Sequence, residues 1–224
     1  MSFIVAIDGP AGSGKGTLAN DLSRLTDLIN IDTGATYRCV TLAAIQNGYT
    51  LEDKDKIIGL LDDINIELEK ENGKDRFFLN GEDVSDKIRE KEVTKMVSQV
   101  SSITEVRIKM SEFQRKLAEG KNVVMEGRDI GTYVFPNADL KIYLDASIEV
   151  RAKRRYNQNK EKGIQMSYDE IFENIKKRDY NDMHNKEIGA LKRAEDAVYI
   201  DSSDMSADEV TEIVLKLISE RRKK

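Results

Sequence analysis

Two rhythms of apolar residues alternate along this chain. Short, mainly apolar runs at 3–7, 28–31, 122–125, 140–144 and 197–200 predict strands of a parallel sheet, because strands covered on both faces read as largely apolar stretches. The long stretches between them carry apolar residues three and four apart, and they predict helices packed on the sheet's two faces. Leu18, Leu22 and Leu25 mark the first helix, and Val210, Ile213, Val214, Leu217 and Ile218 mark the last. Ser206-Ala207-Asp208-Glu209 reads as a capping box ahead of that last stripe, and Ser167-Tyr168-Asp169-Glu170 does the same before Ile171, Phe172 and Ile175. A third such box, Ser102-Ile103-Thr104-Glu105, precedes Val106, Met110, Phe113 and Leu117.

One stretch breaks the pattern. Residues 64–69 alternate apolar and polar, Asn72-Gly73 follows, then Arg76-Phe77-Phe78-Leu79, a second Asn-Gly pair at 80–81, and Glu82-Asp83-Val84. Two tight-turn pairs between short strands predict a three-stranded antiparallel meander. It reads as a lobe inserted over 63–100 into an otherwise α/β chain. No repeat or low-complexity tract interrupts the sequence, and its two prolines, Pro10 and Pro136, mark no linker, so 1–224 is expected to be a single domain.

Composition narrows the function. The chain of 224 residues is long enough for a sizeable core, and 39% hydrophobic with 34% charged residues is ordinary for a soluble protein. The formal charge of −5 argues against nucleic acid or an anionic membrane as partner, so any anionic ligand must be held by local arginines. The single Cys39 excludes an internal disulfide, and with the single His184 it excludes multi-cysteine and multi-histidine metal sites. His184 reads as a surface helix residue. No run reaches membrane-spanning length, and the start carries no leader pattern, so the expectation is a cytoplasmic, monomeric protein of small-molecule chemistry.

That chemistry begins at residue 9. Gly9-Pro10-Ala11-Gly12-Ser13-Gly14-Lys15-Gly16-Thr17 follows the first predicted strand and opens the first predicted helix. A glycine-rich turn there aims several backbone N–H groups, and the positive end of the helix dipole, at one point suited to a chain of phosphates. Lys15 can reach the outer phosphates, and Thr17 offers a hydroxyl near a phosphate-bound Mg²⁺. Gly16 stands where serine or threonine usually follows the lysine.

Three further clusters accompany the loop. Asp32-Thr33-Gly34-Ala35-Thr36-Tyr37-Arg38 follows the second strand and opens a helix, with Arg38 about two turns in. Glu126-Gly127-Arg128-Asp129-Ile130-Gly131-Thr132 sits at the carboxyl end of a buried strand, the edge where open α/β sheets bind ligands. Arg151, Lys153, Arg154 and Arg155 form a cationic stretch able to close over a nucleotide. Together they suit phosphoryl transfer between two phosphorylated molecules. An anionic acceptor oxygen needs no general base, only alignment, exclusion of water and positive charge, and arginine supplies that charge in a bidentate fork.

The ordered series of these motifs resembles the bacterial cytidylate kinases, a branch of the nucleoside monophosphate kinases with a P-loop fold. Asn80-Gly81-Glu82-Asp83-Val84-Ser85, Ser98-Gln99-Val100-Ser101 and Arg178-Asp179 with Asp182 complete the likeness, which runs from Ile7 to the final helix. The resemblance implies a five-stranded parallel sheet with the antiparallel insert and a helical lid at 151–166. It implies transfer from ATP, with Mg²⁺, to CMP or dCMP. Lys15, Arg128, Arg155 and Arg178 become catalytic candidates, and residues 9–17 with Arg151, Arg154 and Arg155 become donor-binding ones. Ser98, Arg107 and Asp129 would read cytosine; Thr33, Arg38, Arg128 and Arg178 would hold the monophosphate; Asp182 would reach the ribose. Gly163 would be a flexible point of the lid. The chain departs from the family at Asn185, where arginine is usual and Lys186 follows, and at Thr33, where serine is common. Within the same chemistry, a kinase for UMP or AMP is the alternative; a GTP switch is disfavoured because the sequence holds no Asn-Lys-x-Asp pattern.

Overall fold

The computed structural model describes residues 2–71, 74–184 and 188–223. They form two compact units, Met1–Ile31 with Arg115–Lys224, and Asp32–Gln114.

The first unit is built on a five-stranded parallel sheet. Its strands are β1 (Ile4–Asp8), β2 (Ile29–Asp32), β6 (Val123–Gly127), β7 (Leu140–Asp145) and β8 (Val198–Asp201), in the order β2-β6-β1-β7-β8. Each apolar run of the sequence became one of them, within about two residues at either end. Val5, Ala6, Ile7, Val123, Val124 and Met125 are fully buried, as the absence of alternation required. Helices α1 (Lys15–Leu25) and α8 (Ala207–Arg222) cover the sheet through Leu18 and Leu22 from one, and Val210, Val214 and Ile218 from the other. The Ser206–Glu209 capping box is present in both directions.

Register determines where chemistry can occur. Ile7 lies opposite Glu126 and Asp8 opposite Gly127 on one side, and Asp8 opposite Tyr143 on the other. The carboxyl ends of β1 and β6 are therefore level. The glycine loop after β1 and the Arg128-Asp129 turn after β6 leave the sheet side by side, at the edge where parallel sheets take ligands. Helices α6 (Ile148–Glu161) and α7 (Tyr168–His184) form a hairpin, joined by a seam of Ala152, Ile171 and Ile175 with Ile148, Tyr156 and Phe172 packed against it. Gly163, expected as a flexible point, has φ +69° and donates its N–H to the Lys160 carbonyl, closing the end of α6.

The second unit holds α2 (Thr33–Gln46), α3 (Lys54–Asp63), α4 (Lys91–Val100), most of α5 (Thr104–Ala118) and the meander. Strands β3 (Ile66–Glu71), β4 (Lys74–Leu79) and β5 (Glu82–Asp83) pair antiparallel in that order. The Asn72-Gly73 turn lies outside the described residues. At the other turn Asn80 and Gly81 have φ of +51° and +80°, the paired left-handed geometry that suits a hairpin. Val40, Ala44, Ile57, Phe77, Ile88, Val93, Val100 and Val106 make this unit's core. The expected helix after Ser102 is α5, but it starts at Thr104, and the Ser102 hydroxyl donates back to the Gln99 carbonyl.

Candidate active site

The chain turns from β1 into the loop at Gly9, whose φ is +154° and whose missing Cβ would lie 2.0 Å from the Leu144 carbonyl oxygen of β7. Only glycine fits there. The loop ends at Gly14, the N-cap of α1, and Lys15 is that helix's first residue. The Lys15 side chain is 5% exposed. Its Nζ donates to the Pro10 carbonyl at 2.7 Å and to Ser13 Oγ at 3.4 Å. Burial, reinforced by Arg128, pushes its ammonium down to about 7, with Glu126 pulling the other way.

Asp8 fixes the neighbouring turn. Its two carboxylate oxygens accept the N–H groups of Ile130 and Gly131 at 2.8 and 2.7 Å. Burial raises its carboxyl to about 6, although those two amides oppose the rise. The residues it grips open a short π-helical turn, Ile130–Val134, and Arg128 and the buried Asp129 stand just before it. Arg128 Nε donates to Asp182 Oδ2 at 2.6 Å, and Arg178 Nε lies 4.0 Å from the same oxygen. Burial penalises the Arg128 guanidinium, but Asp182, with Glu126 and Asp179, more than offsets this and drives its pKa upward.

An open cleft of about 890 Å³ runs along this edge. Ala11 to Leu18, Glu126, Arg128, Arg154, Arg155 and Arg178 line it, together with Asn157, Gln158, Glu161, Ser202, Met205, Ser206, Ala207 and Val210. The volume is within the range of small-molecule sites. The part of the lining supplied by Ser202, Met205 and Val210 was not foreseen. Its signal was available, since Ser202 directly follows β8 at the same sheet edge.

The arginines of α6 differ from one another. Arg155 is exposed and donates to Gln158. Arg154 donates to the Ser13 carbonyl, to Ser202 Oγ and, at 2.6 Å, to the Ser202 carbonyl, and burial lowers its pKa. Arg151 is 6% exposed, is absent from the cleft lining, and is bonded to Asp179, Ala11 and Ala146. Thr17 is exposed in the first turn of α1.

In the second unit Asp32 caps α2 by accepting the Ala35 N–H. Thr33 is buried, and Arg38 donates to the Ile88 carbonyl and to Thr94 Oγ1. Arg107 is buried, donates to the Ser101 carbonyl, and lies over the Tyr37 ring at 5.5 Å. Ser98 is exposed near the end of α4. Burial pushes the Cys39 thiol up to about 12, so it is no nucleophile. Asn185 and Lys186 lie outside the described residues, and His184 is exposed, its ring stacked on Tyr180.

The family model for cytidylate kinase matches residues 5–220. The chain belongs to the cytidylate kinase family. A Halalkalibacterium halodurans protein named cytidylate kinase is 46% identical over 217 residues, covering 97% of each chain. Its namesake in Caldanaerobacter subterraneus is 47% identical over 223 residues, covering 100% of this chain and 97% of the other. Among solved structures, an uncharacterized Eubacterium ventriosum protein superposes with a TM-score of 0.55 at 13% identity, covering 97% of this chain and 99% of that one. At that identity the likeness concerns the fold. Membership in the cytidylate kinase family makes the chain an enzyme, a phosphotransferase acting on a nucleotide.

Proposed function

We propose that this protein transfers the γ-phosphoryl group of ATP to CMP or dCMP, giving the diphosphate. One observation carries the reading: in a chain of the cytidylate kinase family, a cleft of nucleotide size is walled by a phosphate loop and by Arg128, Arg154, Arg155 and Arg178. The loop amides of residues 9–17 bind the triphosphate. Lys15 leaves the Pro10 carbonyl to follow the transferring group, and Arg128, Arg155 and Arg178 stabilise its charge. The acceptor phosphate is already anionic, so no side chain removes a proton.

Acceptor roles are assigned residue by residue. Thr33, Arg38, Arg128 and Arg178 bind the monophosphate, Asp182 the ribose, and Ser98, Arg107 and Asp129 the cytosine. A carboxylate accepts from the exocyclic amine of cytosine and repels the carbonyl that uracil presents instead. Within 1–224 we assign 63–100 to the acceptor lobe and 151–166 to the lid.

The donor set fits a magnesium ion carried in by the nucleotide. Among the described residues no cluster of three acidic, histidine or cysteine side chains could cage a metal. A Cβ on Gly16 would instead sit 3.8 Å from Glu126 Oε1, so a carboxylate and the Thr17 hydroxyl flank the start of α1. Such a pair suits an ion that keeps most of its waters. When bound it neutralises charge on the β- and γ-phosphates.

A coupled assay of ADP release with CMP, dCMP, UMP and AMP in turn tests the reading. CMP and dCMP are expected to be preferred, with the margin over UMP collapsing in Asp129→Ala. An unchanged margin in that variant removes the cytosine assignment, and turnover with UMP or AMP alone removes the substrate.

A further inference from the structure

Arg151 and Asp179 form a buried ion pair in which both partners also hold the phosphate loop. The Arg151 Nη1 lies 2.6 Å from Asp179 Oδ2 and donates to the Ala11 carbonyl at 2.9 Å. The other carboxylate oxygen, Asp179 Oδ1, accepts the Ala11 N–H at 3.2 Å. Both main-chain polar groups of one loop residue are thereby taken by one pair. Arg151 Nε donates to the Ala146 carbonyl at 2.8 Å, which fixes the fork. The start of α6 also packs here, since a Cβ on Gly12, whose φ is +79°, would meet Arg151 Cβ at 3.3 Å and its carbonyl oxygen at 3.4 Å.

We propose that Arg151 and Asp179 are positioning residues that set the donor-phosphate loop in its binding shape by clamping the Ala11 peptide groups. Three features distinguish this from a plain structural ion pair. First, its location: Arg151 lies in the first turn of α6 and Asp179 beyond the middle of α7, so the clamp joins the base of the helical hairpin to the loop. Second, its chemistry: an arginine facing two protein acceptors and a carboxylate is committed, leaving Arg155 to face solvent and ligand. Third, the neighbouring peptide behaves oppositely. The Pro10 carbonyl is held by Lys15, which must leave to meet phosphate, while the Ala11 peptide is held by groups that need not move. A loop whose glycines permit many shapes gains a fixed point beside its one moving contact, and preorganised amides hold an anion without rearranging as it arrives.

The inference rests on the reading that the loop binds a triphosphate, and its test is direct ATP binding, independent of any acceptor. Replacing both partners by apolar residues of like volume leaves no charge buried alone and costs stability only through the main-chain groups it releases, so the decisive protein is the double variant Arg151→Met/Asp179→Leu. It is expected to fold, to bind ATP about tenfold or more weakly by calorimetry, and to keep its KM for CMP within about twofold. A folded double variant with ATP affinity within about twofold of the unchanged protein overturns the proposal, and so does an equal loss for both nucleotides. Arg151→Lys is the second reading and decides the matter if the double variant does not fold. It keeps the charge but not the fork, and is expected to weaken ATP alone, by about threefold or more; unchanged ATP affinity there overturns the clamp. Absence of CMP turnover in the unchanged protein would instead strike the proposed function and leave the ATP comparison intact.

Discussion

Arg128 and Asp182 are joined at 2.6 Å, tying the turn after β6 to helix α7. Asp182 is the largest favourable influence on the buried Arg128 guanidinium and fixes its aim, while Arg128 and Arg178 both press like charge on Lys15. Removing Asp182 frees a guanidinium to which the proposed function assigns the transferring charge. Asp182→Ala is expected to lower kcat by about tenfold or more, since misplacing a catalytic charge by an ångström is enough for such a loss, with a smaller change in KM for ATP. Steady-state kinetics checks it; wild-type kcat with a raised KM for CMP would leave Asp182 as a ribose contact only.

Lys15 gives a pH signature. The ligand-free ammonium is pushed from 10.5 to about 7, and an adjacent triphosphate favours its charged form. Binding ATP at pH 8 therefore takes up roughly one proton, and affinity falls as pH climbs above 7. Calorimetry at pH 8 in buffers of different ionisation enthalpy reads the uptake, and Lys15→Met is expected to abolish it and to lower turnover by about two orders of magnitude or more. For the empty fold the sign reverses. The folded state gives up this proton near pH 7 and the unfolded chain near 10.5, so the penalty of a buried charge is present below pH 7 and fades as pH rises between those values.

Gly9→Ala is expected to be severely destabilised. The new methyl would lie 2.0 Å from a main-chain oxygen on β7 and 3.0 Å from its carbon, and neither can retreat without parting the sheet. A loss of about 4 kcal/mol or more, visible as roughly a 10 °C fall in melting temperature, follows from such a backbone clash. An unchanged melting temperature would mean the loop leaves β1 by another path.

Cys39 lies buried in α2 with its thiol raised to about 12. Thiol reagents at pH 8 should label it only on unfolding, so the labelling rate should follow denaturant concentration. Rapid labelling of the native protein would show that the second unit opens locally.

Legibility in the sequence followed the length of the pattern. The five strand runs, the meander and the Ser206 cap were readable because each is a local rule satisfied within a few residues. The phosphate loop and the Arg128-Asp129 turn were readable because both follow predicted strands. Arg151, Arg154 and Arg155 were not separable, since three arginines within five positions of a helix differ only in what other segments bring to them. Arg151 meets Asp179, 28 positions away, and Arg154 meets Ser202, 48 positions away; no spacing rule announces such partners. The grip of Asp8 on residues 130 and 131 depends likewise on strand register.

That grip limits redesign. Because one carboxylate on β1 receives two consecutive amides at the mouth of the neighbouring turn, transplanting a foreign 128–134 segment requires the graft to present a matching N–H pair at the same height. Side-chain swaps at Asp129 leave that anchorage untouched; a replacement loop with a proline at either anchored position would drift off its mooring and carry Arg128 with it.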